Sequence, residues 1–298
     1  MKSLHDVAAP AKLNLFLHVT GRRADGYHLL QTVFTFVDLA DRLHFTLRDD
    51  GRIVRSTDIP GVPHDQDLIV RAARLLQQHA APQSGAAAGV TIAVDKQIPA
   101  GGGLGGGSSD AASTLIALNR LWGCGFSRET LQALGLTLGA DVPVFVFGES
   151  AFAQGVGEAL AACPVPQASY VVFVPAISVA TATVFAYPDL TRDTKSFIMH
   201  DFAGHDIHQF GRNDLQAAAC ALFKPLSLIV GWLESLGIQA RMTGSGACFF
   251  APFDTADQAQ ACRQRVESAL ASHPEASQWI KQVVVCQGIN RHPLYNWI

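Results

Sequence analysis

The chain has 298 residues, 49% of them hydrophobic and 16% charged, enough to bury a substantial core and to form two domains of about 150 residues each. A formal net charge of −3, with no run of like charge longer than the Arg22–Arg23 pair, argues against a nucleic-acid surface and leaves small molecules as the expected partners. Six cysteines without a C-x-x-C pair or metal-ligand spacing argue against a structural zinc and fit reduced thiols in a cytoplasmic protein.

At the N-terminus, Asp6, Pro10 and Lys12 interrupt the apolar residues before they reach signal-peptide length, so no export signal is expected. AKLNLFLHV (11–19) and LLQTVFTFVDL (29–39) read as strands reversed at Arg23-Ala-Asp-Gly26, where Gly26 supplies the positive φ. Strand alternation in the first places Lys12, Asn14, Phe16 and His18 on one face and Leu13, Leu15, Leu17 and Val19 on the other. A strand over 43–47, a helix over 67–79 and a strand over 90–94 follow. Ala111, Leu115, Leu118 and Trp122 have helical spacing, and Ser127 with Glu129 opens a helix over 127–138.

The run 159–188 carries no charge over thirty residues, which raises the question of a membrane span. Pro164, Pro166 and Pro175 interrupt it, and its β-branched and aromatic runs predict two buried strands instead, over 170–174 and 183–187. A polar loop (189–211), helices over 214–223 and 226–235, a strand over 248–251, a helix over 256–271 and a strand over 283–286 complete an α+β order without repeats. The change of character after Glu158 suggests domains over 1–158 and 159–298.

Residues 99–114, PAGGGLGGGSSDAAST, place six glycines in seven positions directly before a helix. Glycine loses more backbone entropy on folding than any other residue, so such a tract implies that bare backbone is needed. Ser108, Ser109 and Asp110 are N-cap types, and helix-start N–H groups attract phosphate oxygens. The formal match to G-x-G-x-x-G follows a proline and lacks an acidic residue about twenty positions on. No lysine completes a P-loop, and the H-R-D and D-F-G elements of protein kinases are missing.

PAGGGLGGGSSDAAS resembles the phosphate-binding motif of the galactokinase, homoserine kinase, mevalonate kinase and phosphomevalonate kinase (GHMP) superfamily. Two further blocks, AKLNLFLHVTGRRADGYHLLQTVF and MTGSGACFFA, agree in order. With LGADVPVF (138–145) the set is similar to the branch that phosphorylates 4-diphosphocytidyl-2-C-methyl-D-erythritol in the non-mevalonate isoprenoid route. The resemblance implies a two-domain GHMP kinase fold, with helices packed on mixed sheets and an active-site cleft between the domains. It also implies ATP as donor; magnesium is expected because nucleotide phosphates are usually handled as its complex, and no dedicated metal cage is visible in the sequence.

In family terms Asp141 is the base and Lys12 its partner. Lys96, Pro99, Gly101, Gly102, Gly103, Leu104, Gly105, Gly106, Gly107, Ser108 and Ser109 would hold the nucleotide. Tyr27 and Phe185 would sandwich cytosine, His28 would read its edge, and Asn14 and Thr181 would meet the sugar and diphosphate. From the residues alone the alternatives stay open: Asp141 could cap a helix, Lys12 could reach solvent from a strand end, Tyr27 could belong to the turn and Phe185 to the core. Asp67 stands where the family usually carries asparagine, and a carboxylate accepts but does not donate. A homoserine- or mevalonate-type kinase would share the loop without needing the cytosine clamp. A non-catalytic sensor could lose Asp141 and Lys12.

Overall fold

β1 (Ser3–Arg22) and β2 (His28–Arg48) form a long antiparallel hairpin in a computed structural model that describes residues 2–84, 88–199, 206 and 210–298. The reversal is the expected one, with Gly26 at φ 92° and Gly26 N–H donating to Arg23 O. The strand expected over 43–47 is the far end of β2 itself. Because β2 is so long, different stretches of it pair with different partners.

Thr32–Phe34 pair with β5 (Ala151–Gln154), Val37 and Phe36 with β10 (Ile280–Ile289), and Arg42–Arg48 with β4 (Gly89–Asp95). β3 (Ile53–Arg55) adds to β4 in parallel and β6 (Ala159–Ala162) to β5. Beyond β10 come β7 (Ser169–Pro175), β9 (Phe249–Phe253) and β8 (Arg241–Met242), all antiparallel. The result is one ten-stranded mixed sheet.

Helices cover it in two groups. α1 (Leu68–Ser84), α2 (Gly106–Trp122), α3 (Arg128–Leu138) and α4 (Val142–Phe147) contribute to a core with Phe36, Phe45 and Ile92. α5 (Thr181–Phe185), α6 (Asp214–Leu222), α7 (Lys224–Ser235), α8 (Ala256–Ser272) and α9 (Ala276–Trp279) lie over β7 and β9, around Phe173 and Phe249. Ser127 caps α3 as expected, and Thr255 with Gln258 forms a capping box on α8. After β10 the chain returns to the first group, where Leu294 is buried. Among the described residues no single helix is long and apolar enough to cross a membrane.

Three expectations need correction. Residues 183–187 are not a strand but fall largely in α5. Both edges of β7 are taken by β10 and β9, so an adjacent hairpin strand has no ladder to join. α2 begins at Gly106 rather than behind the serines, with Gly105 at φ 74° as its N-cap. The face alternation of β1 also fails part-way, because its register against β2 shifts between Asn14 and Leu17. Past that bulge Leu17 takes the side of Lys12 and Asn14, while Phe16 joins the cluster of Leu13 and Leu15. The loop expected over 189–211 includes 200–205 and 207–209, which lie outside the described residues.

β1 runs through all the apolar clusters in turn: Leu4, Val7 and Ala9 in the first, Leu13 and Leu15 in a central one, Leu17 and Val19 in the last. At the bulge its backbone bonds to the second half, with Asn14 N–H donating to Thr243 Oγ1 (2.9 Å) and Leu17 N–H to Arg212 O (2.9 Å). The glycine loop is pinned in the same seam. Lys12 N–H donates to Leu104 O (3.0 Å), and Cys248 N–H donates to Gly102 O (3.1 Å).

Gly103 sits at φ 74°, and a Cβ there would collide with the carbonyl oxygens of Thr243 and Gly246. Left-handed backbone costs a non-glycine residue about 1–2 kcal/mol and overpacking about 1–3 kcal/mol. Gly103→Ala is therefore expected to lose about 2–5 kcal/mol of stability, read from the denaturant midpoint.

Candidate active site

The seam opens into a cleft of about 1040 Å³. Every residue that the sequence singled out for the site lines it except Ser109. Ser109 is fully buried, its hydroxyl donates to Pro10 O (2.6 Å) and its N–H to Gly105 O, so it braces α2 against β1 instead of meeting a ligand. Ser108 does line the cleft. Asp110 is not a cap either, since its carboxylate faces Lys96.

Lys12 is 3% exposed, and its Nζ donates to Asn14 Oδ1 (2.5 Å), lies 3.6 Å from Asp141 Oδ2 and stands 5.3 Å from the centre of the Phe34 ring. It does not snorkel to solvent. Asn14 is oriented by donating to Thr32 Oγ1 (2.9 Å), whose own hydroxyl donates to Phe16 O. Asp141 occupies the N-cap position of α4 but has helical φ and ψ and makes no side-chain cap bond. With 41% of its side chain exposed, its carboxylate is held by Lys12 while remaining open to the cleft. The capping alternative therefore fails on geometry.

In the glycine loop the first helical bond of α2 is Ser109 N–H to Gly105 O, leaving the earlier first-turn N–H groups, from Gly106 to Ser108, without helical acceptors beside the cleft. The protein side of the loop is full. A Cβ on Gly105 would meet Phe145 at 2.9 Å and Lys12 at 3.2 Å. The tract thus packs tightly on its own protein and bares backbone to the cleft.

Lys96 ends in a buried cluster that sequence reasoning missed. Its Nζ donates to Asp110 Oδ2 (2.6 Å) and to Asp41, which is fully buried and also accepts the N–H groups of Gln97 and Ile98. Burial, with the negative charge of Asp41, pushes Asp110 up to about 7 against the pull of Lys96. Lys96 itself loses by burial but is raised on balance by the two carboxylates. Asp67 is likewise committed: Oδ2 accepts from Arg55 (2.6 Å) in a pair that is nearly buried on both sides, and Oδ1 accepts Ile69 N–H to start α1. Arg55 was not legible, since an arginine in a three-residue strand carries no pattern.

Tyr27, 65% exposed, stands at the hairpin turn. His28 stacks on Phe185 with ring centres 4.9 Å apart, and Thr181 Oγ1 lies 2.7 Å from Ser245 Oγ. The loop after β8 is shaped by Asn213, which caps α6 and donates to Met242 O and Gly244 O, both at 2.8 Å.

Comparison with known proteins gives this geometry its context. The GHMP kinases N terminal domain matches residues 67–149 and the GHMP kinases C terminal domain residues 198–272. The 4-diphosphocytidyl-2-C-methyl-D-erythritol kinase of Bordetella bronchiseptica is 53% identical, with 99% of each chain covered, and that of Ralstonia nicotianae is 53% identical over 98% of this chain and 96% of the other. The chain belongs to the 4-diphosphocytidyl-2-C-methyl-D-erythritol kinases of the GHMP family.

A crystal structure of 4-(cytidine 5'-diphospho)-2C-methyl-D-erythritol kinase superposes with a TM-score of 0.75 at 35% identity, covering 94% of this chain and 98% of that one. Mevalonate kinase from L. major, at 17% identity and a TM-score of 0.69, shares the fold. Membership of this kinase family implies ATP as the phosphate donor.

The buried Asp41–Lys96–Asp110 cluster gives a pH test. Asp110 is raised from 3.8 to about 7, so between those values the folded protein holds a proton that the unfolded chain has released. Stability from this group is complete below about pH 4 and lost as pH rises through about 7. Asp110→Asn is expected to flatten that part of the stability-versus-pH curve, followed by denaturant midpoints in the absence of ligand.

Proposed function

We propose that the chain transfers the γ-phosphoryl group of ATP to the 2-hydroxyl of 4-diphosphocytidyl-2-C-methyl-D-erythritol, with Asp141 accepting the hydroxyl proton. The observation that carries this reading is the pairing of an almost fully buried Lys12 ammonium with a cleft-facing Asp141 carboxylate that does no capping work. The Lys12 ammonium, 3.6 Å away, lies where it can help orient the hydroxyl beside the carboxylate.

Phosphoryl transfer needs positioning and charge neutralisation more than covalent chemistry. The unpaired N–H groups at the start of α2 supply donors for phosphate oxygens. A cleft of about 1040 Å³ exceeds what one drug-sized ligand occupies and suits two nucleotide-sized ones. Tyr27, His28 and Phe185 line that cleft, and we assign them to cytosine, with Asn14 and Thr181 toward the sugar and diphosphate. Lys96, Pro99 and the backbone from Gly101 to Ser108 are assigned to ATP.

Magnesium belongs to this proposal as the companion of the nucleotide. Among the described residues no group of three or more His, Cys, Asp or Glu side chains could hold a metal, so the ion would keep water and phosphate ligands and take one protein oxygen. Asp110 Oδ1, buried at the cleft wall without a hydrogen-bond partner, fits that contact. When bound, the ion neutralises charge on the transferring phosphates. We also propose a division into domains near residue 158, with the tail after β10 packed back on the first, and a cytoplasmic setting in which all six cysteines stay unpaired.

Turnover of the cytidine diphosphate compound, followed by coupled ADP release, tests the reading against mevalonate and homoserine as alternative alcohols. Asp141→Asn is expected to lower kcat by about 10² to 10⁴ while leaving the KM for ATP within about twofold, because it removes a proton acceptor at nearly constant shape. Retention of more than half the wild-type kcat would return Asp141 to a structural role.

A further inference from the structure

Arg192 is a residue for which the proposed reaction has no use, yet every one of its donors is spent. Nη1 donates to Pro188 O (3.1 Å) and Leu190 O (3.0 Å), Nη2 to Phe185 O (3.1 Å) and Tyr187 O (2.8 Å), and Nε to the ring Nε2 of His28 (3.1 Å). A guanidinium has five N–H donors in a rigid plane and cannot accept. Four of the five bonds hold the turn that follows α5, so the fifth cannot swing away without breaking the others.

That fifth bond has a chemical consequence. A donor aimed at Nε2 requires that nitrogen to be an acceptor, which leaves the proton of a neutral imidazole on Nδ1. A protonated ring would set two N–H groups against each other. Burial, followed by the charges of Arg192 and Arg22, accordingly holds His28 below the ordinary imidazole range. Those two arginines are the charged groups that bear on the ring, and its stacking on Phe185 fixes its plane.

We infer that Arg192 is the specificity-positioning residue of the base site, locking His28 as an Nδ1–H donor so that the cleft accepts a pyrimidine with a lone pair at N3 and rejects one with a proton there. This rests on the proposed cytidine substrate. Cytosine N3 is an acceptor and uracil N3 is a donor; a histidine free to exchange tautomers would serve either, whereas a locked one leaves two donors facing each other in the uracil complex. Sites built around one hydrogen bond discriminate mainly through groups left unpaired with the wrong ligand.

The test has two arms. In the wild-type protein labelled with ¹⁵N-histidine, the His28 resonances, assigned by their loss in His28→Gln, are expected to show a protonated Nδ1 and a bare Nε2. A protonated Nε2 overturns the inference without any substrate being needed. In the second arm, Arg192→Gln is expected to raise the KM for the cytidine diphosphate compound and to cut the cytidine-over-uridine ratio of kcat/KM about tenfold, roughly the worth of one hydrogen bond, with the KM for ATP unchanged. Equal losses for both bases would make Arg192 a brace of the turn and nothing more. A wild-type enzyme that turns over neither base overturns the proposed function and the base-reading half of this inference, while the tautomer arm still decides the locked ring.

Discussion

A single buried ammonium organises this molecule. Lys12 lies in the middle of β1, a long and largely buried strand, and a charge taken out of water is tolerated only with partners that replace its hydration. Asn14 supplies one, Asp141 the other, and Phe34 offers its ring face. Asn14 is in turn fixed through Thr32 and through Thr243 of the second half, so satisfying one charge ties β1, β2, α4 and the loop after β8 to a common point. The same requirement leaves Asp141 with a cation beside it and its other side open to the cleft.

The glycine loop shows how tight packing and ligand access can coexist. Its protein face touches the carbonyls of Thr243 and Gly246 and the ring of Phe145, where no side chain fits. That contact is what brings unpaired N–H groups at the start of α2 to the wall of the cleft. Beside it, two buried carboxylates share the Lys96 ammonium, an arrangement one negative charge too rich, which burial makes more acute.

Much of the fold was legible because its elements are long and regular. The helices over 67–79, 127–138 and 256–271 and the hairpin turn at Gly26 were readable from periodicity and caps; α1 runs on to Ser84, and the other helix ends fall within one residue of those expected. α5 was not, because Thr, Val and Phe favour strands and only the occupied edges of β7 forbid one. The bulge after Asn14 was hidden because alternation is a local rule, whereas the register shift is imposed by what each end of β1 must pack against. Of the site, Lys12, Asp141 and the glycines announced themselves as residues out of keeping with their surroundings. Asp41, Arg55, Asn213 and Arg192 did not, since ordinary polar residues in loops and strand ends become significant only through what they meet.

The sequence by itself determined the chemical inventory: a lysine inside an apolar strand, a tract of bare backbone before a helix, an aspartate ahead of a helix start, and an aromatic and a histidine at a turn. These are local facts, set by which side chains and backbone freedoms lie next to one another along the chain. Only the tertiary structure decided that Asp141 faces Lys12 instead of capping α4, that Ser109 is turned inward while Ser108 is not, and that Arg192 reaches His28 across 164 positions. Those choices depend on distances between segments remote in sequence. Packing fixes them, because a buried polar group takes whichever partner the fold brings within reach.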